Sequence, residues 1–502
     1  MEKLSFIVVQ AGGRGTRMES LTRNKPKALV PVGNLPMLFH LFRNYSDKKF
    51  IIIGDYKYDV LRRYLETFAE VDYTLIDGRG SKGTCAGIRS ALASIPKANS
   101  FMLIWSDLVL PDGFSLPQEP KNYVGLSKDF QCRWSYHDDK FLEEPSENQG
   151  VAGLFIFQNK GIIEEVPQNG EFVRYLQERD LTFEELPLYG TKEYGLVSEY
   201  DKLPKHRCRP FNKITVNGNI IVKEGIDAQG KSLAVREAAW YRRLNDEHFG
   251  NIPRIYEYAP LKMEYVTGKN VYEYTNLTKE QKTEILKRLI GCLKSVHALE
   301  YIPSDHDSFN EAYIDKTFAR LEKIRRLVPF ANDKVIKVNG KECCNVFYNR
   351  QRLQKLATQY FPQRFELIHG DCTFSNIMLR DKDLSPVLLD PRGYFGTTEL
   401  YGDPAYDWAK LYYSIAGNYD QFNLKRFDLD IGESEVHLKI NSNGWEDMEG
   451  TFFSLLKEEV TQQQMKFIHA VIWLSLTTYA WEDYDSICGA FYNGLYCLEE
   501  VL

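Results

Sequence analysis

Phe6-Ile7-Val8-Val9 is an unbroken apolar run, and Gly12, Gly13 and Gly15 follow it almost at once. Such a run is consistent with a strand buried on both faces of a parallel sheet. The glycines then let backbone N–H groups approach phosphate oxygens where side chains would clash. Arg17 and Lys27, the latter preceded by Pro26, add the cationic charge that a polyphosphate requires. The stretch 5–32 therefore constrains the first third of the chain to an α/β layer that handles phosphate. A glycine trio alone would equally suit the βα turn of an ordinary Rossmann-like domain.

At 502 residues, and with about 150 residues per domain, the chain divides into two to four domains. A formal net charge of −6 without any Lys/Arg run excludes a phosphate-backbone binder, so no nucleic acid is expected as partner. Nine cysteines lie scattered, with Cys343-Cys344 a vicinal pair, and imply neither a zinc site nor a disulfide framework. The N-terminus enters a strand without a signal-like segment. The most apolar later stretch, Phe467 to Leu476, is too short to span a bilayer and contains His469. The expectation is a cytoplasmic protein without membrane insertion, and an oligomer is compatible with it.

From Phe50 to about Tyr200 apolar runs alternate with amphipathic segments: FIIIG, YDVLRRYLETF, YTLID, GIRSALASI and FMLIWSDLVL. Alternating βαβ units predict an open, mainly parallel sheet that binds ligands beyond the carboxyl ends of its strands. Asp107 ends one such run, where an aspartate equally serves as a cap or turn residue.

The order G-G-x-G-T-R, L-T, P-K, carried by Gly12, Gly13, Gly15, Thr16, Arg17, Leu21, Thr22, Pro26 and Lys27, resembles the signature of the sugar-phosphate nucleotidyltransferases. Met18-Glu19-Ser20 departs from it where the family has Leu, any residue, then Pro. The resemblance implies a Rossmann-like (GT-A-like) domain over 1–203 that binds an NTP through Gly12, Gly13, Gly15 and Thr16, with Arg17 and Lys27 catalytic. It implies Mg²⁺ on Asp107 and on a carboxylate from a later segment, which aligns with Glu193 of EYGLVSEY. Gly83-Thr84-Cys85-Ala86-Gly87 resembles the segment beside the nucleotide base. GVAGLFIF, ending at Phe157, resembles an acceptor-side strand. Gly170-Glu171-Phe172 resembles the family's G-E-F, which makes Glu171 a candidate contact for acceptor hydroxyls; an exposed helix-start carboxylate is the other reading.

Around Asp201 to Pro210 prolines and clustered charge mark a linker. Beyond it ITV, an Asn217-Gly218 turn and NIIVKE read as a β-hairpin. Lys223 closes its second strand, and Glu237 lies in REAAWYRRL, whose apolar positions recur at helical spacing. Residues 367–376, LIHGDCTFSN, and then VLLDPRG contain Asp371, Asn376 and Asp390 at the intervals of a kinase catalytic loop and its metal-binding carboxylate.

This half resembles the aminoglycoside phosphotransferase and choline-kinase superfamily. The resemblance implies a protein-kinase-like, two-lobed α+β domain over 204–502, with an N-lobe to about 267 and a C-lobe from about 268. ATP would be held by Lys223, Glu237 and the hinge-like Met263-Glu264-Tyr265. Asp371 would orient or deprotonate the acceptor hydroxyl, and Asn376 and Asp390 would hold Mg²⁺. Asp407, in GDPAYDWAKL, would brace the catalytic loop. No glycine-rich loop precedes Lys223, and Asp-Pro-Arg-Gly replaces D-F-G, which leaves Arg392 to contact phosphate or to pair with an acid. Trp408, Trp473, Trp481 and Tyr484 could box a quaternary ammonium, but Trp473 and Trp481 also fit a packing stripe on one helical face.

Together the halves predict a bifunctional enzyme that resembles fused enzymes of capsule biosynthesis. ATP would phosphorylate a sugar or small polyol hydroxyl, and an NTP would donate its nucleotidyl group to that phosphate with release of pyrophosphate. Three other readings stay open: choline kinase fused to phosphocholine cytidylyltransferase, disfavoured by Gly370 in His-Gly-Asp; an active nucleotidyltransferase with a regulatory pseudokinase-like module; and an antibiotic-modifying phosphotransferase, for which the attached first domain has no evident role. The partners are small molecules, a sugar, polyol or amino alcohol and its phosphate.

Overall fold

The strand Phe6–Gln10 lies between two parallel neighbours, Lys49–Gly54 and Phe101–Trp105, and Ile7, Val8 and Val9 are wholly buried. Tyr73–Asp77 pairs in parallel with Lys49–Gly54. The helices Tyr58–Phe68 and Cys85–Leu92 make the crossovers that parallel pairing demands. Tyr58–Phe68 buries Leu61, Tyr64 and Leu65, an i, i+3, i+4 stripe. The computed structural model describes residues 4–203 and 212–502; the expected linker lies, from residue 204 onward, outside them. The chain forms two units: Met1–Pro204 with Glu482–Asp485, and Lys205–Trp481 with Ser486–Leu502.

Beyond Phe101–Trp105 the sheet of the first unit changes character. Gly150–Phe157 pairs antiparallel with Phe101–Trp105 and with Tyr123–Ser127, and the hairpin Ser135–His137, Lys140–Leu142 extends it. The expected βα alternation thus stops at Trp105: no helix intervenes before Gly150, so the chain reverses by hairpins instead of crossing over. A register shift falls between Val151 and Phe155. There Gly153 has φ 90°, and a Cβ on it would lie 2.8 Å from the Trp105 ring. Lys25 is fully buried in this unit, its ammonium paired with Asp483 at 3.0 Å and with Asp485.

The second unit begins with the antiparallel hairpin Asn212–Asn217, Ile220–Gly225. Its two-residue loop is Gly218-Asn219, one position later than the Asn217-Gly218 turn expected, because Asn217 pairs with Ile220 and only Gly218 takes a positive φ, 60°. That is the pattern of a turn with glycine at its first central position. Leu261–Glu264 and Ile255–Tyr258 complete a four-stranded sheet. The helix Ala228–Asp246 is capped by Asp227, whose carboxylate accepts from Gly230 N.

The rest of the second unit is mainly helical, around Lys279–His297, Lys316–Ile324, Pro404–Ile415, Gln462–Leu476 and Tyr484–Leu498. Trp408, Trp473 and Tyr484 are at most 1% exposed. Trp473 packs edge-on against Tyr413 at 4.7 Å and Phe422 at 5.0 Å. Trp408 and Trp473 fill the core of this unit and are not free to box a quaternary ammonium. Among the described residues no helix is long and apolar enough to cross a membrane.

Candidate active sites

In the first unit the loop after Phe6–Gln10 leaves the sheet at its carboxyl edge. Ala11 N donates to Ile53 O at 2.9 Å and Tyr56 N to Gly12 O at 3.3 Å. A Cβ on Gly12 would stand 2.8 Å from that of Asp55, so the neighbouring loop itself demands glycine there. Gly15 needs its left-handed φ of 63°. A Cβ on Gly13 would meet nothing within 4 Å, so protein packing does not call for that glycine. Thr16 and Arg17 begin the short helix Thr16–Thr22 and are exposed.

Lys27, 8% exposed, forms an ion pair with Asp107. Glu193 sits on the strand Lys192–Glu193, which pairs with Leu108–Val109 so that Glu193 faces Leu108. Tyr194 N donates to Asp107 O at 3.1 Å. Burial, and next the charge of Asp107, raise the Glu193 pKa; the charges of Lys27 and Arg17 oppose the rise. Arg17, Lys27, Asp107 and Glu193 thus share one electrostatic cluster.

Gly83 and Thr84 are locked elsewhere on the same edge. Gly83 has φ 84°, and a Cβ there would lie 2.3 Å from Gly170 O. Phe172 N donates to Thr84 Oγ1 at 2.9 Å, and Gln10 Nε2 donates to Thr84 O at 3.1 Å. The Glu171 carboxylate is engaged by Arg133 at 3.1 Å, and Arg133 also pairs with Glu143.

In the second unit Lys223 is 2.8 Å from Glu237 Oε2 and 2.6 Å from Asp390 Oδ1. Burial raises Glu237 to about 7 against the pull of Lys223. Burial also acts to raise Asp390, but Lys223 outweighs it and the net shift is downward. The loop 369–376 hangs on Asp407, which is fully buried. Its carboxylate accepts from His369 N at 2.8 Å, Gly370 N at 2.7 Å and His297 Nε2 at 3.0 Å. His369 Nε2 donates to Leu389 O at 2.9 Å, leaving Nδ1 to accept from Asp371 N at 3.2 Å.

Asp371 is thereby fixed with both oxygens occupied: Oδ1 is 2.9 Å from Lys410 Nζ, and Oδ2 accepts from Asn376 Nδ2 at 3.0 Å. Burial acts to raise its pKa, but Lys410 and Arg392 hold it down at about 2. The amide oxygen of Asn376 has no hydrogen-bond partner among the described residues, which suits a cation ligand beside Asp390. Among the described residues Arg392 has no acid within ion-pair distance; its Nη1 donates to Tyr406 Oη at 2.8 Å.

One cavity brings together Lys223, Glu237, Asp371, Asn376 and Asp390. Glu264 and Tyr265 stand outside it. The Glu264 carboxylate is held by Arg380 at 2.5 and 3.0 Å, and Tyr265 N donates to Asn219 O. Sequence reasoning missed Lys410, although it stands three residues after Asp407 in GDPAYDWAKL, and it missed Lys316 and Arg320 on another helix.

Residues 7–115 match the MobA-like NTP transferase domain, and residues 218–433 match the phosphotransferase enzyme family. The chain is 23% identical over 252 residues to the bifunctional protein GlmU of Methanococcus maripaludis, covering 43% of this chain and 60% of that protein. It is 32% identical over 104 residues to the UTP–glucose-1-phosphate uridylyltransferase AglF of Haloferax volcanii, covering 20% and 42%. The match to HddC of Yersinia pseudotuberculosis, a solved structure, has 22% identity, a TM-score of 0.33 and coverage of 40% of this chain and 98% of that one. The CTP:phosphocholine cytidylyltransferase LicC of Streptococcus pneumoniae matches at 20%, with a TM-score of 0.32 and coverage of 40% and 97%. The chain spans about 60% of the length of the curated GlmU relatives it matches. It joins an N-terminal NTP-transferase domain to a C-terminal domain of the phosphotransferase enzyme family.

Proposed function

We propose that the two units run consecutive reactions on one small molecule in the cytoplasm. The second unit transfers the γ-phosphoryl group of ATP to a sugar or polyol hydroxyl. The first transfers a nucleotidyl group from an NTP to the resulting phosphate and releases pyrophosphate. The observation that carries this is the presence on one chain of two assembled phosphate-handling clusters, Arg17–Lys27–Asp107–Glu193 and Lys223–Asp371–Asn376–Asp390. The first product is the second substrate, a nucleotide-activated precursor of the kind cell-surface polysaccharide synthesis consumes.

In the first unit the Gly12–Gly15 backbone cradles the triphosphate. Arg17 and Lys27 stabilise charge as the acceptor phosphate oxygen bonds to the α-phosphorus and pyrophosphate leaves. In the second, Asp371 orients the acceptor hydroxyl and takes its proton, while Lys223, held by Glu237, positions ATP phosphates. Asp107 and Glu193 in one unit, and Asn376 and Asp390 in the other, would hold Mg²⁺, which when bound would neutralise phosphate charge.

The test is incubation with ATP, each NTP in turn and a library of sugars, polyols and amino alcohols, followed by mass spectrometry. A nucleotide diphosphate conjugate formed from an acceptor not yet phosphorylated at the reacting hydroxyl is expected. Reaction only of acceptors already phosphorylated at that hydroxyl overturns the sequential scheme.

A further inference from the structure

Three cations, Arg320, Arg392 and Lys410, share a cavity with Asp371, and Lys316 lies near them on the helix that carries Arg320. Lys316 and Arg320 stand one turn apart on the helix Lys316–Ile324 and share a face; a π-turn, Glu311–Asp315, leads directly into that helix. Arg392 follows Asp390, and Lys410 comes from Pro404–Ile415. Arg320, Arg392 and Lys410 line the cavity of about 290 Å³ that holds Asp371 and Asp390.

Two of these charges, Lys316 and Arg320, are poorly matched within the protein. Lys410 is paired with Asp371. Arg392 bonds Tyr406 and lies over the Tyr394 ring at 5.1 Å. Arg320 donates to Ser475 O at 2.5 Å and Ser475 Oγ at 3.1 Å. Among the described residues, Lys316, Arg320 and Arg392 have no carboxylate within ion-pair distance, and the Lys316 ammonium has no hydrogen-bond partner. Burial, and then the charges of Arg392, Arg320 and Lys410, hold the Lys316 pKa well below its ordinary value. Burial and Arg392 lower that of Arg320.

Gathering like charges in a half-closed cavity is unfavourable until an anion enters it. The ATP phosphates have their own cation, Lys223, fixed from the sheet by Glu237 and Asp390. We propose that the acceptor carries its own anionic group, a phosphate ester or a carboxylate, near the hydroxyl to be phosphorylated, and that Arg320 and Arg392 bind that group, with Lys316 adding its charge from behind them.

The inference rests on the kinase reading of this unit. In the step, the acceptor oxygen bonds to the γ-phosphorus as the bond from that phosphorus to ADP breaks, and the hydroxyl proton passes to Asp371 and then to water. The same charges repel choline and polycationic antibiotics.

The test uses the full chain with Mg²⁺. Calorimetry in the presence of a non-hydrolysable ATP analogue compares matched sets: hexoses, their 6-phosphates, the corresponding uronic acids, and choline. ADP release is then measured on every compound that binds. At least one anionic member is expected to bind about 100-fold more tightly than its neutral parent, a range set by charge-assisted hydrogen bonds. The phosphate and carboxylate arms decide which anion is preferred.

Arg320→Met is expected to abolish the preference by raising KM, with kcat much less changed, and Arg320→Lys to restore part of it. Lys316→Met is expected to raise the melting temperature while weakening anion binding, which a purely structural lysine would not do. Neutral or cationic members that bind as well as anionic ones, or a preference unchanged in Arg320→Met and Lys316→Met, overturn the proposal. Selective anion binding without phosphorylation of any bound compound supports the anion site and overturns the kinase reading instead.

Discussion

Lys410 Nζ stands 2.9 Å from Asp371 Oδ1 while Asn376 Nδ2 donates to Oδ2 at 3.0 Å, so the carboxylate is gripped from two elements. Pro404–Ile415 supplies the lysine, and the loop 369–376 supplies the asparagine. A carboxylate held this way loses little freedom if a substrate binds against it.

Asp371→Asn is expected to lower phosphorylation kcat by about a thousandfold or more. The first unit should still convert a pre-formed acceptor phosphate. Lys410→Met should cut kcat by about 10- to 100-fold with KM for ATP nearly unchanged, since it positions Asp371 and leaves Lys223 in place. Steady-state kinetics on each half-reaction checks both.

Glu193 is a partly buried carboxylate beside Asp107, and burial and that neighbour both disfavour its charge. Glu193→Gln is therefore expected to raise the melting temperature of the first unit while reducing nucleotidyl transfer about 100-fold. Calorimetry paired with pyrophosphate release tests this. A loss of stability together with activity would show that Glu193 is a framework residue.

Asp407 satisfies two backbone N–H groups and His297 with no exposure of its own. Asp407→Ala leaves those donors buried without acceptors, at a cost of about 3 kcal/mol or more. Denaturant unfolding should show it, accompanied by loss of phosphorylation as His369 and Gly370 shift.

His469 accepts from Trp473 Nε1 at 3.0 Å. Burial, with Lys466 adding to it, lowers its pKa to about 3. Above the unfolded value of 6.5 both states are neutral and the stability is complete. As pH falls below 6.5 the unfolded chain takes up a proton that the folded one refuses, so stability declines until about pH 3. His469→Gln should remove one proton's worth of that slope, ~1.4 kcal/mol per pH unit between about pH 6 and 4. Melting temperatures across that range measure it.

Local chemistry was legible along the chain. The apolar run at Phe6, the hairpin into Lys223 and the helix bearing Glu237 each announce themselves by period and turn residues. The hairpin loop slipped by one position because a glycine suits either central place of a tight turn, and only pairing of Asn217 with Ile220 selects one. The antiparallel half of the first sheet was not legible, since Gly150–Phe157 reads as the same buried strand whichever way its neighbour runs.

The sequence by itself determined that the chain has two phosphate-handling halves, because glycine spacing and the Asp371–Asn376 interval are short-range and bound to backbone geometry. Only the tertiary structure decided which charges meet. Glu193 reaches Asp107 through the pairing of Lys192–Glu193 with Leu108–Val109. Lys316 and Arg320, one turn apart on a single helix, meet Arg392 and Lys410 from two other segments of the chain. Packing of distant elements creates that field, and no local period encodes it.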